Sequence, residues 1–111
     1  MAITATFSNG FTDTYKGSRN VKAAWAILRN ADGVVIKSGH SLDRQKAAKT
    51  AEGSLQAIWF ERDFGLEGHP LNYQKGSGPY MTSRQRAEAR SHNAARLDFI
   101  RSQVTIQIVD L

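Results

Sequence analysis

Apolar and polar positions alternate at the start of the chain, with Ile3, Ala5 and Phe7 set against Thr4, Thr6 and Ser8. A period of two is the signature of a half-buried strand. Asn9-Gly10 supplies a turn, and the side chains choose its register. A two-residue turn would put Phe7 and Phe11 on opposite faces. A three-residue loop, Ser8-Asn9-Gly10 with Gly10 left-handed, instead pairs Phe7 with Phe11, Ala5 with Asp13 and Ile3 with Tyr15. That register gathers the four large side chains on one face, so it is the one expected.

A second hairpin follows. The strand from Val21 to Arg29 carries Trp25, Ile27 and Leu28, Asn30-Ala31-Asp32-Gly33 turns the chain, and Val34-Val35-Ile36 opens a return strand ending near Gly39. Ser41 then reads as an N-cap, with Asp43 in the first turn of a helix. Ala48, Ala51, Leu55, Ile58 and Trp59 recur at spacings of three and four, a helical stripe whose small first half would let the helix lie close to a sheet. Trp25 and Trp59 both read as core. Gly65 is the expected stop after Phe64. Residues 65–81 hold four glycines, both prolines, Tyr73 and Tyr80, and read as a long loop of the kind that often carries function, with Tyr73 as a lid on the domain. Thr82 and Gln85 match a capping box at the start of a second helix, which runs to about Ser102. Val104, Ile106 and Ile108 alternate with Thr105 and Gln107 in a last strand. The expected fold is α+β: an antiparallel sheet of about five strands packed against two helices, in the order β-β-β-β-α-loop-α-β, as a single domain over residues 1–111.

Composition sharpens this picture in three ways. A chain of 111 residues can bury a core without staples. The absence of cysteine excludes disulfides, thiolate metal sites and thiol nucleophiles, and fits a reducing cytoplasm. Fifteen Lys and Arg against ten Asp and Glu give a net charge of +5, which favours polyanionic partners and also serves solubility. The first residues lack the basic and apolar regions of a signal peptide, and no stretch approaches the ~18 apolar residues of a membrane span. The expected setting is cytoplasmic, with no membrane partner.

The candidate chemistry lies where the loop meets the second helix. Gly76-Ser77-Gly78-Pro79-Tyr80 runs into a capped helix carrying Arg84, Arg86 and Arg90. Free N–H groups at a helix N-terminus attract anions, glycines let a ligand approach the backbone, and guanidiniums suit phosphate. Arg86, Arg90, Asn93, Leu97 and Ile100 fall on one helical face, basic and polar first, apolar and core-forming last. Tyr80 is placed to stack on a base and Asn93 to bond its edge. The ligand-binding set expected is Gly76, Gly78, Tyr80, Arg84, Arg86, Arg90 and Asn93. The plainer reading is a solvated arginine helix behind an ordinary glycine loop. A GSG tripeptide is no nucleotide fingerprint by itself.

Enzymatic constellations are poor. His40, His69 and His92 lack metal-ligand spacing and read as surface or hydrogen-bonding histidines. There is no G-x-S-x-G elbow. Strands followed by a helix bearing Glu52 look like the opening of a ribonuclease H fold, but Thr4, Thr6 and Ser8 stand where an aspartate is needed. No catalytic residue, metal or cofactor is expected.

Ala5-Thr6-Phe7-Ser8-Asn9-Gly10, the helix around Arg90 and Asn93, and the ending from Val104 to Val109 give a layout that resembles the first-described type of phage anti-Thoeris sponge proteins. The resemblance spans most of the chain and is one of layout. It implies a homo-oligomer, a dimer or an assembly of dimers, that captures cyclic ADP-ribose isomers made by bacterial immune enzymes and does not cleave them. Two other classes compete: a nucleic-acid-binding module, whose affinity would fall steeply with salt, and a phage inhibitor that binds a host defence protein.

Overall fold

The computed structural model describes residues 2–76 and 78–111. Met1 and Ser77, the middle residue of the glycine tripeptide, lie outside the described residues. The elements are β1 (Ile3–Thr6), β2 (Thr12–Tyr15), β3 (Ala23–Arg29), β4 (Val35–Ser41), α1 (Arg44–Ser54), a 3-10 turn (Leu55–Ala57), a short α2 (Phe60–Phe64), α3 (Ser83–Gln103) and β5 (Val104–Asp110). The class is α+β, as expected. The five strands divide between two antiparallel sheets, a β1-β2 hairpin and a three-stranded sheet of order β4-β3-β5.

The hairpin has the register set by its side chains. Ile3 pairs with Tyr15 and Ala5 with Asp13, Phe7 N–H donates to the Phe11 carbonyl at 2.9 Å, and Gly10 is left-handed at φ 86°. β3 shows no alternation, because both of its faces are covered. Ala23, Trp25 and Ile27 pack against Ala47, Ala51, Leu55, Ile58, Phe60 and Ile100 on the helical side. Ala24, Ala26 and Leu28 pack against Ala5, Phe7 and Phe11 of the hairpin. Alanines on the hairpin side let that layer lie close.

Three expectations are corrected between residues 41 and 60. Ser41 is not the N-cap: β4 runs on through it, pairing it with Ala23, and Asp43 caps α1 by accepting from Lys46 N–H at 2.8 Å. With the helix starting at Arg44, Ala47 rather than Ala48 faces the core. Trp59 is not core: α1 ends at Ser54, and after the 3-10 turn Ile58 and Trp59 are both extended. Side chains alternate across an extended segment, so Ile58 and Phe60 turn inward and Trp59 is left 64% exposed. Trp25 is buried, as expected.

α2 stops at Gly65, left-handed at φ 67°. No helix or strand occurs among the described residues from 66 to 81. Thr82 and Gln85 form both hydrogen bonds of the capping box. The radius of gyration is 16.5 Å, against roughly 13 Å for a compact domain of about this length. The longest extent is 52 Å against 30 and 18 Å, so the molecule is elongated. Among the described residues no helix is long and apolar enough to cross a membrane.

Candidate ligand-binding cleft

The loop is tied to its neighbours by a series of specific contacts. The His69 ring packs tilted against both Phe60 and Phe99, with centroids 5.2 and 4.7 Å away, and its Nδ1 accepts from Leu71 N–H. The buried Asn72 donates through Nδ2 to Glu61 Oε1 at 2.8 Å. His92 Nε2 donates to the Tyr73 carbonyl at 2.7 Å. The Asn93 carboxamide bonds both the N–H and the carbonyl of Lys75. These contacts hold the loop alongside α3 and leave a concavity between them.

That cleft has a volume of about 810 Å3, within the ~300–1,000 Å3 usual for ligand sites. Gly76, Gly78, Arg86, Arg90 and Asn93, five of the seven residues expected from sequence, line it together with Lys75. Arg86 and Arg90 lie one helical turn apart, and neither makes an ion pair with a carboxylate among the described residues. No carboxylate is in the wall, so the cleft carries uncompensated positive charge from two guanidiniums and an ammonium. A guanidinium presents its donors in a planar fork that matches phosphate.

Two expected residues lie elsewhere. Arg84 points along the helix to Glu88 at 3.2 Å, the i,i+4 geometry of a solvated pair. Tyr80 is 97% exposed and outside the wall. Asn93 is present, but as a clamp on the loop rather than a free base-reading amide. The N-terminus of α3 also stands outside the wall, because its capping box already occupies the N–H groups of Thr82 and Gln85. The lateral face of α3 therefore takes the place expected for its end.

Arg96 was not singled out by the sequence. It is only 6% exposed, and its guanidinium donates to the carbonyls of Ile58 at 2.6 Å, Gln56 at 3.3 Å and Asn72 at 3.4 Å while lying 5.3 Å from the Phe60 ring centroid. Burial pulls its pKa down from the ordinary arginine value, yet it remains a cation. Its spacing from Ala89 and Ile100, seven back and four on, is the one signal that it shares their buried face.

The remaining candidates lie outside this cleft. Glu52 pairs with Arg101. His40 is buried between the sheets, its Nδ1 3.6 Å from Asp13 Oδ2. Tyr73 is 75% exposed and does not form a lid, although its backbone is fixed. No group of three His, Asp or Glu able to hold a metal ion occurs among the described residues. No protein-family model matches this chain, and neither the curated proteins nor the solved structures contain a match to it.

Proposed function

We propose that this protein captures a small phosphate-bearing, nucleotide-like ligand in the cleft between the 74–79 loop and α3, and holds it without turnover. The observation that carries this reading is the pair Arg86 and Arg90, unpaired with any carboxylate among the described residues and lining a cavity of ligand size. Arg84 on the same helix has a carboxylate partner in Glu88. Leaving Arg86, Arg90 and Lys75 uncompensated in one concavity costs self-repulsion, which an anionic ligand would relieve. The wall offers guanidinium, ammonium, carboxamide and backbone N–H groups, which are suited to holding an anion.

The layout resemblance narrows the ligand to a cyclic ADP-ribose isomer, sequestered intact in the host cytoplasm so that it no longer signals infection. The protein acts in this role as a homo-oligomer. The fully exposed Tyr80, an aromatic ring left open to solvent, supports a contact with a second copy.

The test is a thermal-shift panel at physiological salt with cyclic ADP-ribose isomers, cyclic di- and trinucleotides, NAD, and short DNA and RNA. A ligand at ~100 times its dissociation constant raises the melting temperature by about 10–20 °C for a domain of this size. The ligand should be recovered intact, and Arg86→Ala with Arg90→Ala should remove the shift. A panel in which only DNA or RNA stabilises would favour the nucleic-acid module, and one with no shift at all would favour a protein-targeting inhibitor.

A further inference from the structure

A second, smaller cavity of about 300 Å3 shares Gln74 with the arginine cleft. Its walls include Trp59, Tyr73, Gln56, Glu61 and Arg96. The two aromatic residues are among the most exposed large side chains of the protein, yet the backbone beneath each is fixed. Trp59 N–H donates to the buried Asp63 at 2.8 Å, and the Tyr73 carbonyl accepts from His92. Exposed rings on a fixed backbone beside a cavity make a stacking platform in which only the side chains remain to be ordered.

Polar groups complete the site. The Gln56 carboxamide bonds none of the described residues, so it keeps both donor and acceptor free, while its backbone carbonyl accepts from Arg96. Glu61 uses Oε1 for Asn72 and Tyr73, leaving Oε2. The charges decide what kind of ring fits. Arg62 lies 5.3 Å from the Trp59 ring centroid but is paired with Asp63. Arg96 and Glu61 then remain, and they cancel. A quaternary ammonium is held by a cage of aromatic faces, and here Arg62 already lies over the Trp59 ring. This pocket suits a neutral, planar ring with donors and acceptors on its edge.

We infer that the pocket between Trp59 and Tyr73 is a nucleobase subsite, stacking a purine or pyrimidine while Gln56, Gln74 and Glu61 bond its edge. The base and the phosphates of one ligand then occupy the two cavities that share Gln74. The second half of that statement rests on the phosphate reading of the arginine cleft, and the base subsite does not.

The experiment follows the two Trp indole N–H signals and the backbone signals of Gly76 and Gly78 by NMR, with nucleosides, inorganic pyrophosphate and AMP as probes. Adenosine at millimolar concentration should move the Trp59 indole and leave Trp25, which is buried in the core. Inorganic pyrophosphate should move Gly76 and Gly78 and leave Trp59. AMP should move all three and bind more tightly than adenosine. Tyr73→Ala should weaken adenosine by roughly tenfold, since stacking contributes about that much per base. Arg86→Ala with Arg90→Ala should remove the advantage of AMP over adenosine. If adenosine, guanosine, cytidine and uridine all leave Trp59 unmoved, the base subsite is overturned. If pyrophosphate leaves Gly76 and Gly78 unmoved while adenosine moves Trp59, the base subsite stands and the phosphate reading falls.

Discussion

The Asn93 carboxamide pairs with the backbone of Lys75 as a strand would, Nδ2 donating to the carbonyl and Oδ1 accepting from the N–H, both at 2.8 Å. One helical side chain thereby fixes the loop at the point where it faces Arg86 and Arg90 across the cleft. Asn93→Ala removes both bonds at an exposed position, so stability should fall by only about 1 kcal/mol. Exchange of the Lys75 amide hydrogen should accelerate, and affinity for a phosphate ligand should drop by roughly tenfold through loss of positioning. Asn93→Asp keeps the acceptor, loses the donor and adds a negative charge to the cleft. It should bind phosphate ligands worse than the alanine variant. Calorimetric titration of the two variants orders them, and the reverse order would mean that Asn93 does not border the anion.

The turn between β3 and β4 makes a separate prediction about acid. Arg29 bonds Asp32 through Nε at 2.9 Å and reaches the Asp63 carbonyl at 2.8 Å, tying the turn to α2. The Arg29 guanidinium, helped by the Val34 N–H, lowers the Asp32 pKa from 3.8 to about 2. A carboxyl depressed in the folded state contributes stability above its unfolded pKa and loses it as pH falls through the folded one. Asp32→Asn keeps the turn-forming side chain and removes the charge. It should melt below the parent at neutral pH, with the gap closing between about pH 4 and pH 2. A gap constant across that range would show that the pair adds no net charge stabilisation.

How far the fold was legible follows from which constraints are local. The β1-β2 register was readable because a single turn and the side-by-side placement of Phe7 and Phe11 decide it. The cap at Thr82 was readable from two residues three apart, and the spacing of Arg86, Arg90 and Asn93 gave most of the cleft. Trp59 was misplaced because the stripe from Ala51 to Ile58 continues smoothly while the helix beneath it stops at Ser54. Arg96 is one arginine among several on a basic helix, and its burial depends on carbonyls forty residues earlier. The pocket beside Trp59 gathers residues from three separate stretches, so no local pattern could announce it.

Gly39 shows how closely the sheet is packed. It pairs with Trp25 across β3 and β4, and a Cβ built there would lie 2.8 Å from three atoms of the indole ring. The ring is buried against the sheet and cannot swing away. Gly39→Ala should therefore destabilise by about 1–3 kcal/mol, the usual cost of overpacking, although alanine ordinarily favours a strand over glycine. Gly53→Ala meets no atom within 4 Å and lies inside α1, so it should stabilise by up to roughly 1 kcal/mol. Urea denaturation of both variants checks the pair of opposite signs. A neutral Gly39→Ala would mean that the indole has room to shift.

Arg96 is where the fold and the site depend on the same side chain. Its guanidinium satisfies the Ile58, Gln56 and Asn72 carbonyls, joining the irregular segment after α1, the start of the loop and the middle of α3. It has no carboxylate partner among the described residues, so these carbonyl dipoles and the Phe60 face are what stabilise its charge. Arg96→Ala should leave the carbonyls without donors and open a void beneath the loop, at a cost of about 3 kcal/mol or more. For a domain of this size that lowers the melting temperature by at least ~12 °C. Arg96→Lys keeps the charge, but an ammonium is more strongly hydrated and cannot span three acceptors with a planar fork. It should recover less than half of the loss. Thermal unfolding of the two variants, with the Asn72 and Tyr73 amides followed by hydrogen exchange, separates the contributions. If the alanine variant melts within about a degree of the parent, water replaces the guanidinium, and the loop is held by its other contacts, through His69, Asn72, His92 and Asn93.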